Sequence, residues 1–196
     1  MCIRDRANSQ TQNLFESNSA IQPEVNLPPV ERNTEFMIGG KAGYYVPYEE
    51  AMTEIYGAGF MWGLYTGLWI DKWGVSLDVK DYRKDGNPYT YGDVGSASSR
   101  LSLTPITLTG LYKFSDNGTL RTYGGAGFGV VFIKEDLSMT ATWGDSGSVS
   151  EKLQKLEFHT TGGIRIDPLY FEVSFSSIPT QGVNFGGIIF GGGLIF

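Results

Sequence analysis

Apolar residues alternate with polar or small residues along most of the chain from Glu35 to Phe196. A period of two is typical of β-strands, because successive side chains of a strand point to opposite faces of the sheet. In the fourth predicted strand the apolar positions change phase at Thr104-Pro105, which predicts a β-bulge at the proline. The alternation predicts eight strands: Phe36–Val46, Ala58–Ile70, Trp73–Tyr82, Arg100–Phe114, Leu120–Lys134, Leu153–Ile166, Leu169–Ser176 and Gly186–Phe196.

The connections between these strands alternate in length. The short ones are Asp71-Lys72, Ser115–Thr119, which contains the tight-turn pair Asn117-Gly118, and Asp167-Pro168. The longer ones are Pro47–Gly57, Arg83–Ser99, Glu135–Lys152 and Ser177–Val183. Short turns at one end and long loops at the other are typical of outer-membrane barrels. We therefore expect an all-β fold, namely an eight-stranded antiparallel up-and-down transmembrane β-barrel with short periplasmic turns and longer extracellular loops.

The last predicted strand is uncharged and ends on an aromatic residue. One of its faces reads Gly186, Ile188, Phe190, Gly192, Leu194 and Phe196. Such a strand suits a position where one side meets lipid and both edges are paired. We expect it to pair with Phe36–Val46 and so to close the barrel.

The first part of the chain has a different character. Residues 1–34 are rich in Asn, Gln, Ser, Glu and Pro and show no period, which predicts a flexible tail ahead of a barrel domain at residues 35–196. The segment Met1–Arg6 does not have the apolar core of a signal peptide. Because an outer-membrane protein must be exported, we expect this start to be incomplete or non-native.

Composition narrows the class of protein further. The chain has 27 glycines, 14% aromatic residues and a formal net charge of -6, which favours an all-β protein and argues against nucleic-acid binding. The single cysteine, Cys2, excludes an internal disulfide framework and a cysteine-based zinc site. No apolar run approaches the ~18 residues of a transmembrane helix, whereas a transmembrane β-strand needs only about 9–11.

Charged residues of the predicted strands fall almost entirely on the face opposite the apolar one. A Lys or Arg that faces lipid at mid-depth costs roughly 2–4 kcal/mol, so these charges are expected to line the lumen. An eight-stranded barrel is only wide enough for its own side chains, which disfavours a wide ion pore and requires the charges to pair or to stay hydrated. The lumen set that we predict is Lys41, Asp78, Lys80, Arg100, Glu157, His159, Arg165 and Glu172, with Lys113, Arg121 and Lys155 on the same faces.

His159 is the only histidine of the chain. Glu157 lies on the same strand face, so a general base oriented by a carboxylate is conceivable. A hydrogen-bonded lumen residue is the favoured interpretation, and one histidine without a cysteine pair does not make a metal site. We therefore predict no catalytic, cofactor-binding or metal-binding residues and no enzymatic activity.

Four stretches, together with the final strand, carry a resemblance to known proteins. They are Gly40–Pro47, Ile55–Gly59, Ile106–Phe114 and Tyr123–Gly129. Over residues 36–196 the chain resembles the small outer-membrane β-barrel superfamily, especially OmpW-like proteins and the outer-membrane protein β-barrel domain.

The resemblance implies a place in the cell outer membrane. The role would be that of a structural envelope component or of a narrow channel for small molecules, hydrophobic ones included. The implied partners are outer-membrane lipid and lipopolysaccharide, the barrel-insertion machinery and a small hydrophobic ligand, without nucleic acid or cofactor. It also implies that Phe190, Gly192, Leu194 and Phe196 form the C-terminal signal read by the insertion machinery.

Two alternatives stay open at this point. The first is a lipid-modifying outer-membrane barrel enzyme that uses His159 and Glu157. The second is a soluble, lipocalin-like ligand-binding barrel whose apolar face is turned inward, because periodicity alone does not say which face is outside.

Overall fold

The computed structural model describes residues 33–90, 95–141 and 143–196. These residues form one short helix, α1 (Glu50–Ile55), and nine β-strands. The strands are β1 (Thr34–Pro47), β2 (Gly59–Ile70), β3 (Trp73–Asp85), β4 (Tyr89–Thr90), β5 (Gly95–Asp116), β6 (Arg121–Ala141), β7 (Ser146–Ile166), β8 (Leu169–Ser177) and β9 (Gly187–Ile195). Of the predicted tail, residues 1–32 lie outside the described part of the chain.

Eight of these strands close into a ring by antiparallel pairing, and β4 adds only a two-residue ladder on β5. The sheet order is β3-β2-β1-β9-β8-β7-β6-β5, and pairing between β3 and β5 joins its two ends. The predicted all-β, eight-stranded, antiparallel barrel is confirmed. The predicted contact between the first and last strands is also confirmed, with Tyr44 opposite Phe190 and Ala42 opposite Gly192.

Short turns lie at one end of the ring, which we call the turn side, and longer connections lie at the other end, the loop side. At the loop side the prediction of a long loop at Glu135–Lys152 is wrong. Strands β6 and β7 instead continue as a hairpin that stays paired up to Thr140 and Ser146. The serine and threonine residues of this segment left little apolar alternation to detect, although the backbone pairing continues through them.

The predicted bulge at Thr104-Pro105 is also wrong. The pairing of β5 with β6 is continuous there, and the register shifts only between Lys113 and Ser115. Leu101 and Leu103 are buried on the inner face of β5, in phase with the buried residues that follow. The apparent change of phase arose because the inner face is itself apolar at the loop side.

The two faces of the barrel differ in chemistry. Side chains on the outer face are mostly large, apolar and exposed, for example Leu64, Leu108 and Phe158. Buried charged and hydroxyl groups lie on the inner face, among them Asp78, Thr107 and Glu157. The apolar face therefore points outward, which is the reverse of the lipocalin-like alternative. The described residues include no helix of the length and hydrophobicity needed to cross a membrane.

Close strand contact depends on an inward-facing glycine at position 129. A Cβ atom there would lie 2.6 Å from Thr107 Cγ2 and 2.8 Å from Thr107 Cα, too close for the backbones of β5 and β6 to stay in place. Gly110, on the outer face of β5, has open space by comparison, since the nearest atom to a Cβ would be the Ala126 carbonyl oxygen at 3.8 Å.

We expect Gly129→Ala to lower the free energy of unfolding by about 1–3 kcal/mol, because overpacking must displace the neighbouring backbone. Gly110→Ala, the matched control, should change it by less than about 1 kcal/mol. Urea unfolding of the two variants measures the difference. Equal stability of the two variants would contradict the close contact.

Candidate functional site in the barrel interior

The loop-side half of the interior is filled by an apolar plug. Strand residues at its centre, including Tyr45, Tyr82 and Leu101, are almost fully buried. The rings of Tyr45 and Tyr82 pack edge to face with centroids 4.8 Å apart. The plug comprises Tyr45, Met52, Tyr56, Met61, Tyr82, Leu101, Leu103, Val131, Ile133, Ile178, Phe185 and Ile189. This half of the barrel therefore has no open lumen.

Two connections cover the plug. Helix α1 contributes Met52, and the Tyr56 hydroxyl at the end of the helix bonds to the Glu135 carboxylate on β6. Burial, helped by this bond, raises the pKa of Tyr56 above its ordinary range. The connection from β8 to β9 contributes Ile178 and Phe185, and the Phe185 carbonyl accepts a 2.7 Å hydrogen bond from the Tyr45 hydroxyl.

A polar belt crosses the middle of the interior. Lys41 on β1 forms an ion pair with Asp78 on β3 and lies 3.4 Å from the Glu172 carboxylate on β8. The Ser174 hydroxyl donates a 3.1 Å hydrogen bond to the same Glu172 oxygen. Because removing charges from water is costly, this three-membered network must stay paired to be tolerated inside the barrel.

The belt continues on β5, β6 and β7. His159 Nε2 lies 2.8 Å from the Thr109 hydroxyl, and Gly127 leaves the space that the imidazole ring occupies. Lys80 is 5% exposed and Glu157 is 1% exposed. Among the described residues no carboxylate lies within 4.0 Å of the Lys80 ammonium group. Lys80 and Glu157 are therefore the least directly paired charges of the belt.

A small cavity lies beside the belt on the turn side. Its volume of about 40 Å³ is room for a few water molecules. Three buried polar atoms of its lining residues have no hydrogen-bond partner among the described residues, namely Tyr65 Oη, His159 Nδ1 and Tyr170 Oη. Water in this cavity would satisfy these groups, which is the usual solution for buried polar atoms.

The turn side is closed by a second apolar layer and then by ion pairs. Met37, Tyr65, Trp69, Leu111, Tyr170 and Ile195 form the layer. Beyond it the Glu35 carboxylate lies 2.8 Å from Arg121 and 2.7 Å from Arg165, with the Lys113 ammonium group at 4.0 Å. Asp116 lies 3.3 Å from Arg121, and Asp167 pairs with Arg165. Together these residues form a neutral cluster of three acids and three bases.

Most of the predicted lumen residues lie inside the ring. Lys41, Asp78, Lys80, Glu157, His159 and Glu172 form the belt, and Arg165 belongs to the turn-side cluster. Arg100 is a correction: its side chain is 64% exposed on the outer face of β5, where it pairs with Asp85 at 2.6 Å. It had been assigned to the lumen because of the supposed change of phase, which the fold does not contain.

The predicted C-terminal signal residues share the outer face of β9 or its end. Phe190, Leu194 and Phe196 are exposed there, and Gly192 lies between them in the same phase. The prediction missed Glu35, the centre of the turn-side cluster. The sequence could have indicated this role, because the period of two places Glu35 on the same inner face of β1 as Met37 and Lys41.

The candidate catalytic pair Glu157 and His159 is not assembled as a hydrogen-bonded pair. Glu157 and His159 share a strand face, but no hydrogen bond joins them, and the imidazole bonds to Thr109 instead. The described segments hold no group of three or more His, Cys, Asp or Glu side chains that could bind a metal ion. What the interior can do chemically is hold a buried network of charged and hydroxyl groups between two closed ends.

Comparison with known proteins identifies the fold of the chain through solved structures alone. No protein-family model and no curated protein matches the chain. Among solved structures, Neisserial surface protein A is 14% identical with a TM-score of 0.54, over 84% of this chain and 99% of that one. The N-terminal β-barrel domain of Pseudomonas aeruginosa OprF is 15% identical with a TM-score of 0.47, over 82% and 97%. The attachment invasion locus protein Ail of Yersinia pestis is 16% identical with a TM-score of 0.41, over 85% and 99%.

At 14% identity the first comparison shows a shared fold and no more, and the two lower scores add no weight. The chain has the fold of the eight-stranded outer-membrane β-barrels.

The two carboxylates of the belt that lie beside Lys41 can be ranked by their effect on stability. Asp78→Asn should lower the free energy of unfolding by about 3–5 kcal/mol, because it removes the closer partner of the buried Lys41. Glu172→Gln should cost about 1 kcal/mol, because the amide still accepts hydrogen bonds and Asp78 stays paired. Glu151→Gln, at an exposed position of the hairpin, is the control for net charge. Urea unfolding measures all three, and the opposite ranking would contradict the network.

Proposed function

We propose that this chain is an outer-membrane protein of the cell envelope with a structural role and a closed interior. The observation that carries the proposal is the difference in side-chain polarity between the outer and inner faces of the closed ring. Large apolar side chains cover the outer face, while the charges of the central strands lie inside. A soluble barrel would gain nothing from such an exposed apolar surface, whereas lipid would cover it.

The length of the apolar band supports a membrane position. On β5 the outer face is apolar from Ile106 to Phe114, apart from the small Gly110 and the aromatic Tyr112. Those nine residues agree with the roughly 9–11 residues of a tilted transmembrane strand. Aromatic residues such as Trp73 and Phe114 are exposed at the turn-side end of the band, where an interface belt is expected.

In this position the short turns face the periplasm, and the helix α1, the hairpin of β6 and β7 and the β8–β9 connection face the exterior. The lipid-facing row that ends in Phe196 is suited to recognition by barrel-insertion machinery. Outer-membrane lipid and lipopolysaccharide are the proposed surroundings, and nucleic acid is not a partner at a net charge of -6.

A structural role is favoured over a narrow channel because three layers block the interior. These are the apolar plug, the charged belt and the turn-side cluster. A small molecule that crossed the barrel would have to displace the plug residues Tyr45, Tyr82 and Leu101, which are packed from several strands.

We also propose that the protein is not an enzyme. The two residues that a lipid-modifying activity would use, Glu157 and His159, are 1% and 6% exposed. A lipid substrate in the bilayer meets the outer face, whereas both side chains point to the inside.

A matched pair of arginine substitutions on β5 tests the membrane position. Leu108→Arg places a cation in the middle of the apolar band and should cost about 2–4 kcal/mol of folding free energy in lipid, whereas Ser102→Arg, beyond the band, should cost about 0–1 kcal/mol. Heat-dependent gel mobility and fractionation with the outer membrane report folding and insertion. A wild-type protein that stays soluble without detergent and shows no heat-dependent shift would defeat the proposal.

The closed interior predicts that the folded wild-type protein gives no discrete current steps in a planar lipid bilayer. Asp78→Asn should also stay silent, because it disturbs the belt but leaves the plug intact. The measurement uses preparations whose heat-dependent gel shift shows that the barrel is folded. Reproducible single-channel steps from the wild-type protein would favour the channel role instead.

A further inference from the structure

The outer wall of the loop-side sheet carries a row of three cations and one serine that the interior does not explain. The row consists of Arg83 on β3, Ser102 on β5, Lys134 on β6 and Lys152 on β7, and we call it the basic row. We propose that the basic row binds the phosphate groups of an outer-leaflet lipid whose sugar headgroup carries two phosphates. This inference rests on the proposed outer-membrane position.

The pairing register makes the row continuous. Arg83 lies opposite Ser102, Ser102 opposite Lys134, and Lys134 opposite Lys152. All four residues are in phase with the outer face of their strands. Since neighbouring strands are about 4.8 Å apart, the row spans roughly 14 Å along the wall.

The row lies just beyond the apolar band on each strand. Arg83 comes four residues after Val79, and Lys134 comes two residues after Phe132, where these are the last apolar residues on the outer faces of β3 and β6. Lys152 is likewise four residues from Leu156 on β7. At a rise of about 3.3 Å per residue, the cations lie roughly 7–13 Å along the strand from the band. The headgroup layer of a bilayer lies at this level.

The charges of the row are poorly balanced by the protein. Lys134 and Lys152 face each other directly, which is an unfavourable cross-strand pair unless an anion lies between them. Within the described ranges no carboxylate lies within 4.0 Å of the Lys152 ammonium group. Arg83 pairs with Asp81 at 3.0 Å and Lys134 with Asp136 at 2.6 Å, but the Arg83 and Lys134 side chains are 71% and 47% exposed, so a phosphate can still reach both cations.

Carboxylates lie on both sides of the row. Arg83, Ser102 and Lys134 line a shallow groove of about 430 Å³ on the outer wall. The carboxylates Asp85 and Asp136 also line it, but they lie one step farther from the apolar band, with Arg100 between them. On the side of the apolar band the row is flanked by Asp81, the partner of Arg83, so the basic row itself is the most positive level of this part of the wall.

The spacing favours two phosphates over one. Arg83 and Lys134 are separated by two strand spacings, about 10 Å, with the Ser102 hydroxyl between them as a further donor. A single phosphate could reach only one end of the row. A sugar headgroup with a phosphate at each end could engage Arg83 and the Lys134–Lys152 pair together through charge-assisted hydrogen bonds.

The test compares variants of the full chain, folded in detergent, for binding of fluorescent diphosphoryl lipid A. Lys152→Gln removes one cation of the row, and Lys72→Gln, in the short turn between β2 and β3, removes one cation at the opposite end of the barrel as the matched control. A triple variant, Arg83→Gln, Lys134→Gln and Lys152→Gln, removes all three. Fully dephosphorylated lipid A, phosphatidylglycerol and inorganic phosphate serve as the other ligands.

We expect the triple variant to bind diphosphoryl lipid A about tenfold or more weakly than wild type, with Lys152→Gln intermediate and Lys72→Gln within about twofold of wild type. Wild type should bind dephosphorylated lipid A and phosphatidylglycerol about as weakly as the triple variant binds the diphosphorylated ligand. Inorganic phosphate should compete only weakly.

Equal affinity of the triple variant and wild type would overturn the proposal, as would equal affinity of wild type for phosphatidylglycerol or inorganic phosphate. All variants should keep the heat-dependent gel shift, because the substituted side chains are outside the barrel interior. A failure of lipid binding with the gel shift retained thus rejects the basic row alone, whereas loss of the gel shift in wild type rejects the membrane position itself.

Discussion

The closed hydrogen-bonded ring is the constraint on which the rest of this structure depends. Pairing of β1 with β9 and of β3 with β5 leaves no strand of the ring without two neighbours, so each side chain must point either to the interior or to the exterior. The interior of eight strands is narrow, and every inward side chain there competes for the same volume. Small residues such as Gly129 and Gly127 on β6 make room for Thr107 and His159. The ring thus determines both the apolar exterior and the nearly filled interior.

The charged belt is tolerated inside the barrel only because oppositely charged residues from several strands meet there. Lys41, Asp78 and Glu172 come from β1, β3 and β8, so the cation and its two carboxylates are brought together only when the ring closes. The ion pairs therefore offset the free-energy cost of removing these charges from water. They also fix the relative positions of strands that are not direct neighbours. Hydroxyl groups such as those of Thr109 and Ser174 complete the network, which leaves only a small cavity for water.

The period of two was sufficient to predict the strands, the closing pair and most of the interior charges, because outward-facing and inward-facing positions differ in polarity wherever the interior is polar. It failed where both faces carry similar residues. Leu101 and Leu103 looked like a continuation of the outer face, since the plug that receives them is formed by residues distant in sequence, such as Tyr45 and Ile133. Arg100 was misplaced for the same reason. The hairpin around Leu137 and Val149 was missed because its strands are held together by backbone hydrogen bonds. Its mostly polar side chains show no alternation from which this pairing could be predicted.

The two ends of the barrel are closed by different chemistry, and the lengths of the connections explain why. At the loop side, α1 and the β8–β9 connection are long enough to fold back and bury Met52, Ile178 and Phe185 over the opening, so an apolar seal is available. At the turn side the connections Asp71-Lys72 and Asp167-Pro168 are too short to cover anything. Closure there must come from side chains at the strand ends, and long charged side chains can reach across the opening while staying hydrated on their outer side. Glu35 meets Arg121 and Arg165 from two other strands in just this way, so the ion cluster performs at one end the task that folded loops perform at the other.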